Sequence, residues 1–209
     1  MYTPKPNEET RVEVMQALVQ AHPLATWTLF DGDDLLTHHI PFHLDVDRGP
    51  FGTLVGHVAR ANSVWRSRPS DVRSVVSFHG PQAYVTPSWY ASKREHGKVV
   101  PTWNYAVVHA RGVPTFTHDT AWLLAHVSGL TAAHEANEST PWSVSDAPSE
   151  FVERQLRAIV GVEIPIEQLS GKWKTSQNRP HADKAGVVAG LGRRGDEASA
   201  ELVERHTEA

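Results

Sequence analysis

An Asp31-Gly32 pair set between two alternating apolar runs, ATWTLF and LLTHHIPFHLDV, constrains this chain more than any other feature. An Asp-Gly turn between period-two segments joins neighbouring antiparallel strands, and the alternation gives each strand one apolar face. Similar runs follow at GTLVGHVA and VRSVVSFHG, with RANSVWRSRPSD between them leaving room for one helical turn. AVVHARGVPTFTH predicts two short strands or one bent strand, broken at Gly112-Val113-Pro114. In GVEIPIEQL, Val162, Ile164 and Ile166 share a face, which predicts a late strand closing the sheet.

Helical spacing appears at fewer places. Val12, Met15, Leu18 and Val19 predict a helix from Asn7 to about Ala21, capped by Asn7 and stopped by His22-Pro23. Leu123, Leu124, Val127 and Leu130 predict another from Asp119 to about Asn137, and a third starts near Glu150 and runs to Ile159. Beyond Gly195 the chain is charged and Ala-rich, which fits a surface helix or a frayed end. Five or six antiparallel strands with clustered helices give a β fold with peripheral α, a compact barrel and not a parallel sheet. A length of 209 residues suits one such domain, expected over residues 1–192, with a charged C-terminal tail from 193 to 209.

The composition removes several classes of function. With no cysteine there is no disulfide framework, no thiolate nucleophile and no cysteine zinc site. A formal charge of -4 gives no overall attraction to nucleic acid, so such binding would need a local basic patch. The polar N-terminal segment and the lack of any apolar run near 18 residues predict a cytoplasmic protein without a membrane partner.

Familiar motifs mostly fail on context. Gly190 to Gly195 reads GLGRRG and matches GxGxxG, but it follows no strand and too little chain remains for a dinucleotide fold, so it predicts a helix end and loop. His38, His39 and His43 invite a metal reading. On one extended strand His39 and His43 sit about 13 Å apart while His38 faces the other way, so no metal ligands are assigned unless Pro41 breaks the strand. No catalytic residue can be named, because GxSxG, P-loop and HExxH patterns are missing.

Three clusters point to a ligand. Phe78 to Tyr105 gathers Tyr84, Trp89, Tyr90, Trp103 and Tyr105 around prolines, suited either to a flat ligand or to a rigid packed corner. His57-Val58-Ala59-Arg60-Ala61-Asn62 sets a planar guanidinium fork beside two further polar groups, which suits a phosphate or a surface salt bridge with a cap. From Lys172 to Arg194 there are six Lys or Arg against one Asp, enough to hold a phosphate, a nucleic-acid backbone or simply water.

Taken in order, MYTP, Ile40-Pro41-Phe42, GHVARAN, FHGPQAYVTPSWY, VPTWNY and KTSQNR resemble the PaiB family of FMN-binding negative transcriptional regulators. The likeness departs from the family at Pro6-Asn7-Glu8. It implies a six-stranded antiparallel split β-barrel of Greek-key type, working as a homodimer with FMN at the subunit interface. By the same likeness Arg60, His57 and Asn62 fall on the phosphate side, and Ala59, Ile40 and Pro41 also contact the cofactor. His39, Trp103 and Asn104 fall near the ring, and Lys174, Ser176 and Asn178 reach the phosphate or the partner subunit. A regulator would act through DNA or a regulatory protein. The alternatives are an FMN-dependent oxidoreductase, flavin-linked or NAD(P)H-linked, and a haem-binding or haem-degrading split barrel, since 13 His offer axial ligands.

Overall fold

The structure is a computed structural model that describes residues 1–66 and 73–205. In chain order the elements are β1 (Glu8–Glu9), α1 (Val12–Ala21), β2 (Leu24–Phe30), β3 (Leu35–Pro41), β4 (His43–Asp45), β5 (Thr53–Ala59) and β6 (Ser74–Val85). Then come α2 (Ser92–His96), β7 (Thr102–Gly112), β8 (Thr115–Thr117), α3 (Thr120–Glu135), α4 (Ser149–Arg157), β9 (Ile159–Pro165), β10 (Gln168–Lys174), α5 (His181–Gly192) and α6 (Glu197–Arg205). None of the described helices is long and apolar enough to cross a membrane.

Two compact units share the chain in interleaved pieces. The first takes Met1–His22, Phe78–His109 and the chain from Ser170, and the second takes Pro23–Ser77 and Ala110–Leu169. Hydrogen bonding orders β1-β10-β7-β6 in the larger sheet and continues it through β2 to β3. Six strands result, with peripheral helices, as the sequence led us to expect.

In the second unit Phe30 pairs with Leu35 across the Asp31–Asp34 turn, and the register runs on through Thr28↔Thr37 and Thr26↔His39 to Leu24↔Pro41. Asp31 closes the turn by accepting the amides of Asp33 and Asp34, while Gly32 takes φ 107, which L side chains rarely adopt. The inward face carries Ala25, Trp27 and Leu29, all buried. Trp27 meets Phe42 edge to face at 6.2 Å, a geometry worth about 1 kcal/mol beyond burial. A four-stranded sheet, β4-β5-β9-β8, supplies Leu54, Val58, Val160, Val162 and Ile164 to the same core. Asp119 caps α3 by accepting the amides of Ala121 and Trp122.

In the first unit α1 buries Met15, Leu18 and Val19. A separate cluster joins Ala83, Val85 and Tyr90 to Val187 and Leu191 of α5 and to Ala200 and Val203 of α6. The segment after Gly195 is therefore a packed helix, with its last four residues outside the described chain. Asp183 of α5 is buried and its carboxylate accepts both the amide and the hydroxyl of Ser92 at the start of α2. Trp89 lies on the glycine side of α5. A Cβ on Gly186 would meet the Trp89 carbonyl at 2.0 Å, and one on Gly190 would meet the indole at 2.3 Å. The glycines of GLGRRG thus end a helix, and Gly190 also admits an aromatic ring.

Several local expectations need correction. The first helix begins at Val12, because Asn7 ends a 3-10 turn and Glu8 and Glu9 pair with Lys172 and Gly171 of β10. LLTHHIPFHLDV is two strands, broken after Pro41, whose ring cannot donate to a ladder. FHGPQAYV is strand despite Gly80-Pro81, and TWNY opens β7, so both ends of the aromatic segment lie in the sheet. Pro165 ends β9, so Gln168 to Lys174 forms a further strand that the polar reading of Lys172 and Lys174 hid. Ser63–Trp65 supplies the single helical turn, and residues 67–72 of that segment lie outside the described residues.

Candidate functional site

The residues singled out by sequence fall into two groups, one in each unit. In the second unit the end of β5 is tied down tightly. Arg60 donates from Nε to the Arg157 carbonyl at 2.6 Å and from Nη2 to the Ile159 carbonyl at 2.9 Å, with Nη1 3.1 Å from His118 Nδ1. A guanidinium on the Arg157 carbonyl, the last of α4, suits the negative end of that helix. Three of its five N–H donors are committed there, so the fork expected for a phosphate is largely occupied.

Asn62 is fixed from both ends. Its Oδ1 accepts the Val64 amide at 3.0 Å, so its Nδ2 is the atom facing His38 Nδ1 at 3.2 Å. An amide NH2 only donates, which makes neutral His38 the Nε2–H tautomer. Burial, then the neighbouring His39, lowers the His38 pKa, and Nε2 is buried without a hydrogen-bond partner among the described residues. His39 itself points outward opposite Thr26, followed by half-buried Ile40 and exposed Pro41. His57 Nδ1 lies 3.0 Å from His126 Nε2, and His126 stacks on Trp122. Burial, then His57 and His43, pushes the His126 pKa down to about 4, and burial also lowers that of His57. Ala59 ends β5 on the exposed side. Among the described residues no three histidine or carboxylate side chains are placed to hold a metal ion.

His38, His118 and His126 were not singled out for this site. His38 was legible, since alternation sets it on the same face as Leu36 and Ile40; His126 is four residues from Trp122 on α3 but needs the fold to meet His57.

In the first unit Trp103 of β7 is half exposed and meets Tyr84 of β6 edge to face at 6.1 Å. The opposite face of β7 holds a polar ladder to β10 and its following loop. Lys174 Nζ donates to Thr102 Oγ1, and buried Asn104 donates from Nδ2 to Ser176 Oγ at 3.0 Å. Ser176 sits at φ 63, the left-handed region that costs an L residue about 1–2 kcal/mol. Gln177 braces it, accepting the Thr175 amide and donating to the Trp173 carbonyl. Thr175 Oγ1 is buried without a hydrogen-bond partner among the described residues, Asn178 is exposed, and Arg179 lies over the Tyr90 ring at 4.6 Å.

The two groups offer different chemistry, each within its own unit. The first unit offers a half-exposed indole, Lys174, Arg179 and an orphaned hydroxyl; the second offers a buried imidazole donor. A family model described as "Putative FMN-binding domain" matches residues 1–168. The chain belongs to this family of FMN-binding domains. A protein of Aspergillus fumigatus is 32% identical over 94% of this chain and 93% of its own length. The protease synthase and sporulation protein PAI 2 of Bacillus subtilis, a PaiB protein, is 29% identical over 91% of this chain and 89% of its own length. Among solved structures, the FAD and heme binding protein of Mycobacterium smegmatis aligns with TM-score 0.61 and 17% identity, covering 88% of this chain and 80% of that one. That likeness shows the fold, a flavin-binding split barrel. FMN agrees with the donor set, and the family match ends before Lys174 and Ser176.

Proposed function

We propose that this FMN-binding protein is a cytoplasmic homodimer that acts as a negative transcriptional regulator of the PaiB type, with the cofactor held where two copies meet. The observation that carries the reading is the half-exposed Trp103–Tyr84 pair, within a chain that aligns nearly end to end with the Bacillus relative. On this reading Trp103 is the first unit's candidate for the flat ring and Lys174 and Arg179 are its candidates for the phosphate; in the second unit His39 and Pro41 share one face of β3 and His38 and Ile40 the other, so one of these pairs at most contacts a ligand. Asn104 and Ser176 act one step away, holding the loop. His57 and Asn62 set the position of His126 and His38, and Arg60 secures the strand end. Bound FMN would supply reversible hydride and electron acceptance.

A second reading, an FMN-dependent oxidoreductase, is favoured by the charges of α6. Glu197, Glu201 and Glu204 line the last described helix and oppose close approach of a DNA backbone. One preparation separates the readings. Protein that releases a yellow compound of FMN mass, and shifts its own promoter saturably at low salt, fits the regulator. Anaerobic bleaching by NADH or NADPH without such a shift favours the reductase, and colourless protein that ignores added FMN overturns both.

A further inference from the structure

Ser128, Thr131, Ala132 and Glu135 stand at i, i+3, i+4 and i+7 on α3, so their side chains form one stripe along the end of that helix. The chain returns across this stripe at Pro141–Ser145, and a cavity of about 360 Å³ lies between them, wholly within the second unit. Trp142 fixes the return. Its amide donates to Glu135 Oε2 at 3.0 Å, while its indole is left 47% exposed. Ser143 then caps the 3-10 turn Val144–Asp146, donating its amide to Asp146 Oδ2 at 2.8 Å, with its hydroxyl 2.6 Å from that of Ser145.

We infer that this cavity binds a small alkylammonium ion, its cationic head between the Trp142 indole and the Glu135 carboxylate. The lining carries a single charge, and that charge is negative. Among the described residues that surround the cavity none is Lys, Arg or His, so no lining cation neutralises Glu135. An aromatic face attracts a cation through its quadrupole, Trp most strongly, and a carboxylate beside it adds Coulomb attraction. Ala132, Pro141 and Val144 give the cavity an apolar side for alkyl groups. The hydroxyls of Ser128 and Thr131 can accept a hydrogen bond from the head where it carries N–H. An anion would meet Glu135 with nothing to offset it, and one carboxylate is too few for a hard metal ion. The volume sits near the small end of ligand pockets, enough for a head group and a short chain. No residue of this cavity serves the flavin or regulator readings, so the inference stands apart from them. The same chemistry comes from a free amine or from a methylated lysine side chain of another protein.

Isothermal titration of the full chain, backed by saturation-transfer NMR of the ligand, tests this without reference to flavin content. Choline is expected to bind with a Kd of about 1 mM or tighter at low salt, and its neutral carbon isostere dimethylbutanol about tenfold more weakly. Glu135→Gln keeps an acceptor for the Trp142 amide but removes the charge, and is expected to weaken choline about tenfold. Trp142→Ala, at an exposed position, should do the same, while Trp142→Phe keeps a ring face and should stay within about fivefold of wild type. Unchanged thermal melts confirm that the variants fold, and Trp142→Ala alone suffices if Glu135→Gln does not. A short peptide carrying trimethyl-lysine, titrated in parallel, names the source by binding more or less tightly than choline. Equal affinity for choline and dimethylbutanol, choline affinity untouched by Glu135→Gln and Trp142→Ala, glucose bound in place of choline, or no binding of either ammonium would each overturn the inference.

Discussion

Asn104 and Ser176 hold each other side chain to side chain in the interior of one unit, 3.0 Å apart across 72 residues of sequence. The bond makes the left-handed Ser176 more than a local accident, because a buried amide depends on where its hydroxyl points.

Ser176→Ala is expected to cost about 1–3 kcal/mol, the penalty for leaving buried amide hydrogens unmet. Ser176→Gly loses the same hydroxyl but relaxes the backbone, and should recover about 1 kcal/mol of that loss. Urea unfolding of the pair checks the order. An alanine variant as stable as the glycine variant would mean that φ 63 stores no strain.

Lys174 and Arg60 should separate by ligand. Lys174→Met is expected to weaken FMN about tenfold while leaving riboflavin, which has no phosphate, within about twofold. Arg60→Lys cannot reproduce the fork to the two carbonyls, so the melting temperature should fall and the FMN-to-riboflavin affinity ratio stay fixed. Fluorescence titration with both ligands decides. A collapse of that ratio in Arg60→Lys would return the phosphate to Arg60.

Glycines of a single motif should behave oppositely. Gly190→Ala drives a methyl into the Trp89 indole and is expected to cost about 2 kcal/mol or more. Gly192→Ala meets no atom within 4 Å and should be neutral or stabilising by up to about 1 kcal/mol. Thermal melts of the two variants give the comparison.

The His57–His126 pair makes stability depend on acid. His126 has a folded pKa of about 4 against 6.5 when exposed, so between these values the unfolded chain binds more protons. Stability should be complete above pH 6.5 and fall as the pH drops toward 4, by roughly 2 kcal/mol after allowance for solvent screening. His126→Asn should flatten that slope in urea midpoints at pH 7, 6 and 5. An equal slope in both proteins would assign the acid loss elsewhere.

Much of the fold was legible because period and turn chemistry agreed. Asp31-Gly32, the apolar face of Val162 and Ile164, and the helical spacing of Leu123, Leu124, Val127 and Leu130 all led to the observed elements. What stayed hidden depended on partners remote in sequence. Glu8 and Glu9 look like the first turn of a helix until β10 is present to pair with them. Gly80-Pro81 looks like a turn, yet it lies inside a twelve-residue strand. At the site, the sequence shows the Arg60 fork but not its targets, since the carbonyls of Arg157 and Ile159 are almost 100 residues away. Nothing in a linear pattern shows that a donor is already taken.

The interleaving of the two units bears on how the chain can be made and cut. Each unit draws on separated stretches, so no contiguous fragment consists of either one alone. On the ribosome the first unit stays incomplete until α5 and α6 have emerged, and Val85 and Tyr90 wait until then for the helices that cover them. A truncation before His181 therefore leaves a nascent apolar surface for chaperones, where a dispensable tail would have left a folded protein.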